Sequence, residues 1–132
     1  MKRKSLTPLG ETEMEVLHHV WDLDRATVAD VQTRILHERK VAYTTVMTVM
    51  KKLADKGYLQ FEKDGATYVY SAARSAEEVQ HSLVDDLVSK VFRGSTLALV
   101  QTLVEHEDLT GEERREIKHL IDEMEDEDDD VG

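Results

Sequence analysis

The spacing of the apolar residues changes at Gly57, in the middle of this chain. Upstream, in AYTTVMTVMKKLADKGYL, Val46, Met50 and Leu53 recur at i, i+4 and i+7, with Val49 and Ala54 beside them. That is the spacing of one helix face. Downstream, in YLQFEKDGATYVYSA, the pattern alternates: Leu59, Phe61 and Lys63 on one side, Gln60 and Glu62 on the other. That is the spacing of a strand. Gly57 stands where a helix C-terminal glycine belongs, after Lys51, Lys52 and Lys56, which suit the negative end of a helix dipole. Asp64-Gly65 is a two-residue hairpin signal, and Thr67 to Ala72 return with β-branched and aromatic residues.

Two helices precede this unit. The first is expected from Pro8 or Gly10 to Trp21, with Thr7 as a start signal and an apolar stripe of Met14, Leu17 and Trp21 flanked by Val16 and Val20. DLDRA breaks the pattern. Thr27 with Asp30 three residues on resembles a capping box, and Val28, Val31, Ile35 and Leu36 form the buried side of a second helix. HERK is its polar exit.

After Arg74 the chain turns helical again. Ser75 and Glu78 form a capping box, followed by Val79, Leu83, Leu87 and Val91, with Val84, Val88 and Phe92 alongside. Gly94 ends that helix and Ser95 opens another, whose stripe is Leu97, Val100, Leu103 and Val104. Thr110 and Glu113 cap a third, carrying Ile117, Leu120, Ile121 and Met124. Residues 75–124 are too few to bury such wide apolar faces among themselves. The expected solution is a second copy, in a symmetric dimer. The alternative is packing onto the front half of the same chain.

Charge divides the chain at the same place. The whole carries a net charge of −11, yet residues 1–74 hold 12 Lys/Arg against 10 Asp/Glu, while residues 75–132 hold 5 against 18. The front half can meet a polyanion and the back half cannot. Glu125 to Asp130 are acids without interruption and read as a solvated tail. The expected organisation is therefore residues 1–74 as one domain, 75–124 as a helical dimerisation region, and 125–132 as an acidic disordered tail. With no cysteine, thiolate metal sites, disulfides and cysteine nucleophiles are excluded. No apolar run has the ~18–20 residues of a membrane span, so a cytoplasmic protein is expected.

No catalytic constellation is present. The histidines are scattered; His18 and His19 are adjacent, and adjacent helical positions do not face a common ligand. There is no HExxH, no GxSxG and no glycine-rich phosphate loop. The acid pairs Asp85-Asp86 and Glu112-Glu113 read as helix surface. No enzyme activity, cofactor or metal is expected.

A binding reading fits better. Three helices followed by a tight hairpin is the winged helix-turn-helix order, in which the third helix enters the DNA major groove and the hairpin touches backbone. That helix keeps Asp and Glu off its outward face until Asp55 and builds the face from Thr44, Thr45 and Thr48, poor helix formers on a surface. Threonine can donate or accept a hydrogen bond, and its methyl can meet a thymine methyl. Lys51 and Lys52, a turn later, suit phosphates, and Tyr43 can offer its hydroxyl to the backbone.

The runs MEVLHHVWD, TVADVQ, AYTTVMTVMKKLADKGYL and EKDGATYVYSA resemble, in order and spacing, the penicillinase-repressor family of bacterial transcription regulators. The likeness is strong from Leu9 to Ala72 and looser after Ser75. It implies a mainly α fold with a small β-hairpin: a winged helix-turn-helix followed by C-terminal helices that hold a homodimer on a palindromic operator in double-stranded DNA. It implies DNA contacts from Tyr43, Thr44, Thr45, Thr48, Lys51 and Lys52 and from the wing, where Lys63 and Thr67 are the candidates. The dimer contacts are expected from Val79, Leu83, Leu87, Val91, Leu97, Val100, Leu103, Val104, Ile117, Leu120 and Ile121.

Three features depart from that family. Ala66 stands where the family's wing often has an arginine. Some members are inactivated by a membrane sensor-protease that cuts an Asn-Phe bond; the corresponding pair here is Thr102-Leu103, which counts against that partner. Copper-responsive members use C-terminal cysteines, and this chain has none. A reading from another class stays open: a winged-helix protein-interaction module whose acidic tail engages a basic partner.

Overall fold

The computed structural model describes residues 8–106 and 108–131, with side chains as far as Met124. Thr7 and Gly132 lie outside the described residues, as do the side chains of the acid run from Glu125. The elements follow in the order α1 (Glu11–Leu23), β1 (Arg25–Ala26), α2 (Val28–Leu36), α3 (Tyr43–Asp55), β2 (Leu59–Asp64), β3 (Thr67–Ala72), α4 (Ala76–Lys90), α5 (Thr96–His106) and α6 (Gly111–Val131). The chain divides within α4 into two compact units, one ending at Leu87 and the other beginning at Val88.

In the first unit, α1, α2 and α4 start on local caps and α3 stops on a glycine. α1 begins after Gly10, whose N–H donates to Glu13 Oε1 at 2.8 Å. The start is thus set by Gly10 and Glu13. α2 begins on a reciprocal cap: Asp30 N–H donates to Thr27 Oγ1 at 3.1 Å and Thr27 N–H to Asp30 Oδ2 at 2.9 Å. α3 ends on Gly57, at φ +89°, a conformation that favours glycine. Ser75 caps α4 through the N–H of Glu78 at 3.1 Å.

These helices bury one shared core. Val16, Leu17 and Val20 of α1, Val28, Val31 and Ile35 of α2, and Val46, Met50 and Leu53 of α3 are all buried. Tyr58, Leu59 and Tyr70 close the core from the sheet side. Leu36, expected on the buried side of α2, is 50 % exposed. It stands one residue beyond Ile35, where the helix has already rotated off the core. Val79 is 1 % exposed in this same core, and so has no surface to give a second chain. Burying such a side chain contributes ~1.5–3 kcal/mol to the unit's own stability.

The sheet holds one strand more than the alternation announces. Its order is β1-β3-β2, all antiparallel, with Arg25 opposite Ser71 and Ala26 opposite Tyr70. β1 is two residues long, inside the DLDRA break, and too short to show a period. The hairpin turn is also shifted by one residue. Asp64 pairs with Thr67, so its central residues are Gly65 and Ala66, not Asp64 and Gly65. Gly65 takes φ +64° and Ala66 does not go positive. That is the geometry of a II′ turn, which requires glycine at the first central position.

In the second unit, Ser95 Oγ accepts from Ala98 N–H at 3.0 Å at the head of α5. Thr110 and Glu113 exchange two 3.0 Å hydrogen bonds at the head of α6, as their spacing predicts. α5 contains no buried residue. The backbone of α6 runs on past Met124 through the acid run to Val131. Among the described residues, no helix is long and apolar enough to cross a membrane.

Candidate DNA interface

The outward face of α3 follows from its inward one. With Val46, Met50 and Leu53 in the core, the opposite side of a helix of 3.6 residues per turn carries Thr44, Thr48, Lys51 and Asp55. All four are exposed, and Thr45 and Lys52 flank them, also exposed. The three threonines occupy the first turn and a half. Asp55, the acid on this stripe, lies at the far end, about 16 Å along the axis from Thr44.

One of the threonines is already half-committed. Thr48 Oγ1 donates to the backbone oxygen of Thr44 at 2.9 Å. Its proton is therefore turned inward, and what it offers outward is an accepting oxygen and a methyl group. Thr44 and Thr45 have no such bond among the described contacts. At the head of the helix Ala42 supplies no side-chain cap, unlike Thr27, Ser75, Ser95 and Thr110 at other helices.

The lysines separate into different roles. Lys51 is exposed and pairs with no acid among the described residues. Lys52 lines a cleft between the start of α1 and the second half of α3, together with Gly10, Glu13, Val49 and Lys56. Its charge acts on Glu13. Lys56 reaches the Pro8 backbone oxygen at 3.2 Å and both Glu13 oxygens at 2.8 Å, which ties α1 to the end of α3. Burial pushes the Glu13 carboxyl up, but the Gly10 N–H and the Lys56 ammonium outweigh it and hold the pKa below its ordinary value. A second clamp joins Glu15 of α1 to Arg39 after α2, at 2.5 and 3.2 Å. The Arg39 hydrogen bonds hold Glu15 low as well, against a smaller upward push from burial. Arg34 donates to His19 Nδ1 at 3.0 Å and to Asp22 at 3.1 Å. Of these pairs, the one made by Lys56 fixes the end of α3, and those made by Arg39 and Arg34 join α1 to α2 and the segment after it.

The wing presents Lys63 and Thr67 at its exposed end, each across from a residue of the other strand, Tyr68 and Asp64 respectively. Lys63 pairs with no acid among the described residues. Tyr43, at the head of α3, is 49 % exposed. The two most exposed rings of the wing, Phe61 and Tyr68, belong to no expected contact. Their signal in the sequence was available: two aromatics at the outer end of a hairpin, beyond Leu59 and Tyr70 where the core stops. Of the remaining expected residues, Leu83, Leu87, Val91, Leu97, Leu103, Val104, Leu120 and Ile121 are exposed, at 37–66 %. Val100 and Ile117 are partly buried. Among the described residues no group of three or more His, Asp or Glu side chains could hold a metal ion.

The chain is 34 % identical over 102 residues to the transcriptional regulator BlaI of Mycobacterium tuberculosis, covering 76 % of this chain and 74 % of that one. It is 24 % identical over 113 residues to the methicillin resistance regulatory protein MecI of Mammaliicoccus sciuri, covering 86 % and 92 %. Among solved structures, hsRosR-SG in its complex shares the fold at a TM-score of 0.52, with 15 % identity and coverage of 91 % and 95 %. The Bacillus licheniformis BlaI monomer bound to the blaP half-operator matches at a TM-score of 0.49, with 21 % identity over 58 % of this chain and 93 % of that one. The model of the penicillinase repressor family matches residues 9–123, nearly the whole of the described chain, and the chain belongs to that family.

Proposed function

We propose that this protein is a homodimeric repressor that binds a palindromic operator, with α3 in the major groove and the wing on the adjoining backbone. Its family is one of DNA-binding transcriptional repressors and not of enzymes. The observation that carries the reading is the exposed stripe of Thr44, Thr48 and Lys51, diametrically opposite the helix's buried side, with its acid, Asp55, at the far end. A face of that kind suits base edges at its start and a phosphate at Lys51. The uncapped first turn of α3 adds backbone N–H groups that favour an anion.

Dimerisation is inferred from α4 beyond Val79 and from α5 and α6. Leu97, Val104 and Leu120 are more than half exposed, and a helix such as α5 with no buried residue gains little by folding alone. A second copy supplies the missing partner surface, and repression follows by occlusion of a promoter by two α3 helices about one helical turn apart. Thr102-Leu103 lies within α5, with Thr102 Oγ1 bonded to Ala98 O at 2.9 Å. A protease would have to unwind that helix to reach the bond, so induction by a cut there is not part of this reading.

Selection of bound fragments from a genomic pool, followed by gel-shift titration at fixed salt, tests the proposal. Thr45→Ala and Thr48→Ala should relax sequence preference, while Lys51→Ala should weaken binding to all sequences alike. Equal losses on selected and random DNA for all three variants would overturn base reading by α3. Failure to select any sequence would favour a protein-interaction module instead.

A further inference from the structure

The wing sorts its side chains by charge. Directly paired residues of an antiparallel hairpin share a face, so Leu59 and Ala72, Phe61 and Tyr70, and Lys63 and Tyr68 project from one side. The other side carries Gln60, Glu62, Asp64, Thr67, Val69 and Ser71, and with them both acids of the hairpin. The first side begins in the core, at Leu59 and Tyr70, both 3 % exposed. It then leaves the core with its apolar character unchanged: Phe61 is 52 % exposed and Tyr68 44 %. Their rings meet edge to face at 5.2 Å, and Phe61 also lies 5.6 Å from Tyr70. Lys63 stands at the outer end, and neither acid of the hairpin is on this face.

We propose that Phe61 and Tyr68 are DNA-contacting residues, whose rings lie against the deoxyribose edges of the minor groove beside the half-site while Lys63 meets the adjoining phosphate. This rests on the operator reading above and extends it to two residues outside α3. Three observations choose DNA as the occupant. An apolar patch bordered by a cation, with the acids on the reverse side, is complementary to a surface of sugar C–H groups edged by phosphates. The rings form one continuous patch, because Tyr70 touches Phe61 and Phe61 touches Tyr68. The rings also hold one another, so little side-chain freedom remains to be lost on binding.

The test uses the full chain and a duplex selected from genomic fragments, read by equilibrium titration and by hydroxyl-radical footprinting, which attacks deoxyribose directly. Wild type should protect sugars flanking each half-site. Phe61→Ala should lose that flanking protection and roughly five- to tenfold in affinity, the effect of leaving half a phenyl ring uncovered. The salt dependence of binding should stay unchanged in Phe61→Ala and fall by about one unit in Lys63→Ala. Tyr68→Ala is the second variant should Phe61→Ala fold poorly, with far-ultraviolet circular dichroism and Trp21 emission reporting the fold of each. Unchanged affinity and footprint in both folded variants overturns the proposal, as does lost affinity with flanking protection intact. If Thr48→Ala and Lys51→Ala alter binding while the ring variants do not, only this inference fails. If none of the four alters binding, the operator reading fails with it.

Discussion

A single hydroxyl on α3 limits what the helix can read. Because Thr48 Oγ1 donates to Thr44 O, its outward chemistry is acceptance and methyl contact. Thr48→Val keeps a methyl and removes the acceptor. It should therefore retain preference at a thymine and lose it at a base that donates, whereas Thr48→Ala loses both, with discrimination falling by ~1–3 kcal/mol at the affected base pair. Competition titrations against single-base variants of the selected operator separate these outcomes. The periodicity placed the threonines on the exposed face; their internal bond depends on a rotamer that no pattern encodes. Asp24 is a further case that only coordinates reveal. It sits at φ 70° and ψ −53°, near γ-turn geometry, between α1 and β1. An L side chain is strained there. Asp24→Gly should relieve more strain than it adds in unfolded-state freedom, raising stability by about 0.5–1 kcal/mol and the melting temperature by a few degrees in a thermal scan.

Between elements, α1 sends two ion pairs across the unit, one to the end of α3 and one to the segment after α2. Glu13 to Lys56 and Glu15 to Arg39 each join residues distant in sequence, and both carboxyls titrate below their ordinary 4.5. A carboxyl whose pKa is lower in the folded state stabilises the fold above its unfolded value, and that stabilisation is lost as pH falls through the folded one. Acidification below about pH 4.5 should therefore cost the wild type stability that Glu13→Gln does not have to lose. At neutral pH the variant should be less stable by ~1–2 kcal/mol, since the glutamine still accepts from Gly10 but no longer pairs with Lys56. Urea titrations at neutral and acid pH check both halves: a variant with the wild-type acid limb would remove Glu13 from the account. Sequence spacing found the helices and the hairpin because caps and periods are local. It could not find these clamps, nor β1, because a two-residue strand and a long-range pair leave no period.

At the scale of the whole chain, the charge asymmetry and the exposed apolar residues point to one arrangement. The back half, with 18 acids to 5 basic residues, is poorly suited to touch DNA, and the proposed role that fits it is the joining of two recognition units. Val79 shows the limit of reading this from spacing. It continues the same four-residue ladder as Leu83, Leu87 and Val91, yet it is buried in its own chain, because a ladder along a helix does not say where one packing partner ends and another begins. Leu97 and Leu120 belong to the part with exposed faces, so under the proposed dimer Leu97→Asp and Leu120→Asp should place a charge in the interface. Sedimentation equilibrium should then show a monomer whose thermal unfolding in the first unit is unchanged. On a palindromic duplex the variant should bind with the affinity of a single half-site, and its binding should lose the steep dependence on protein concentration that joined half-sites give. On an isolated half-site it should match the wild type. A variant that remains dimeric would shift the interface to other faces of α4, α5 and α6, and a monomer that still binds the full palindrome as tightly would show that the two half-sites are held by DNA alone.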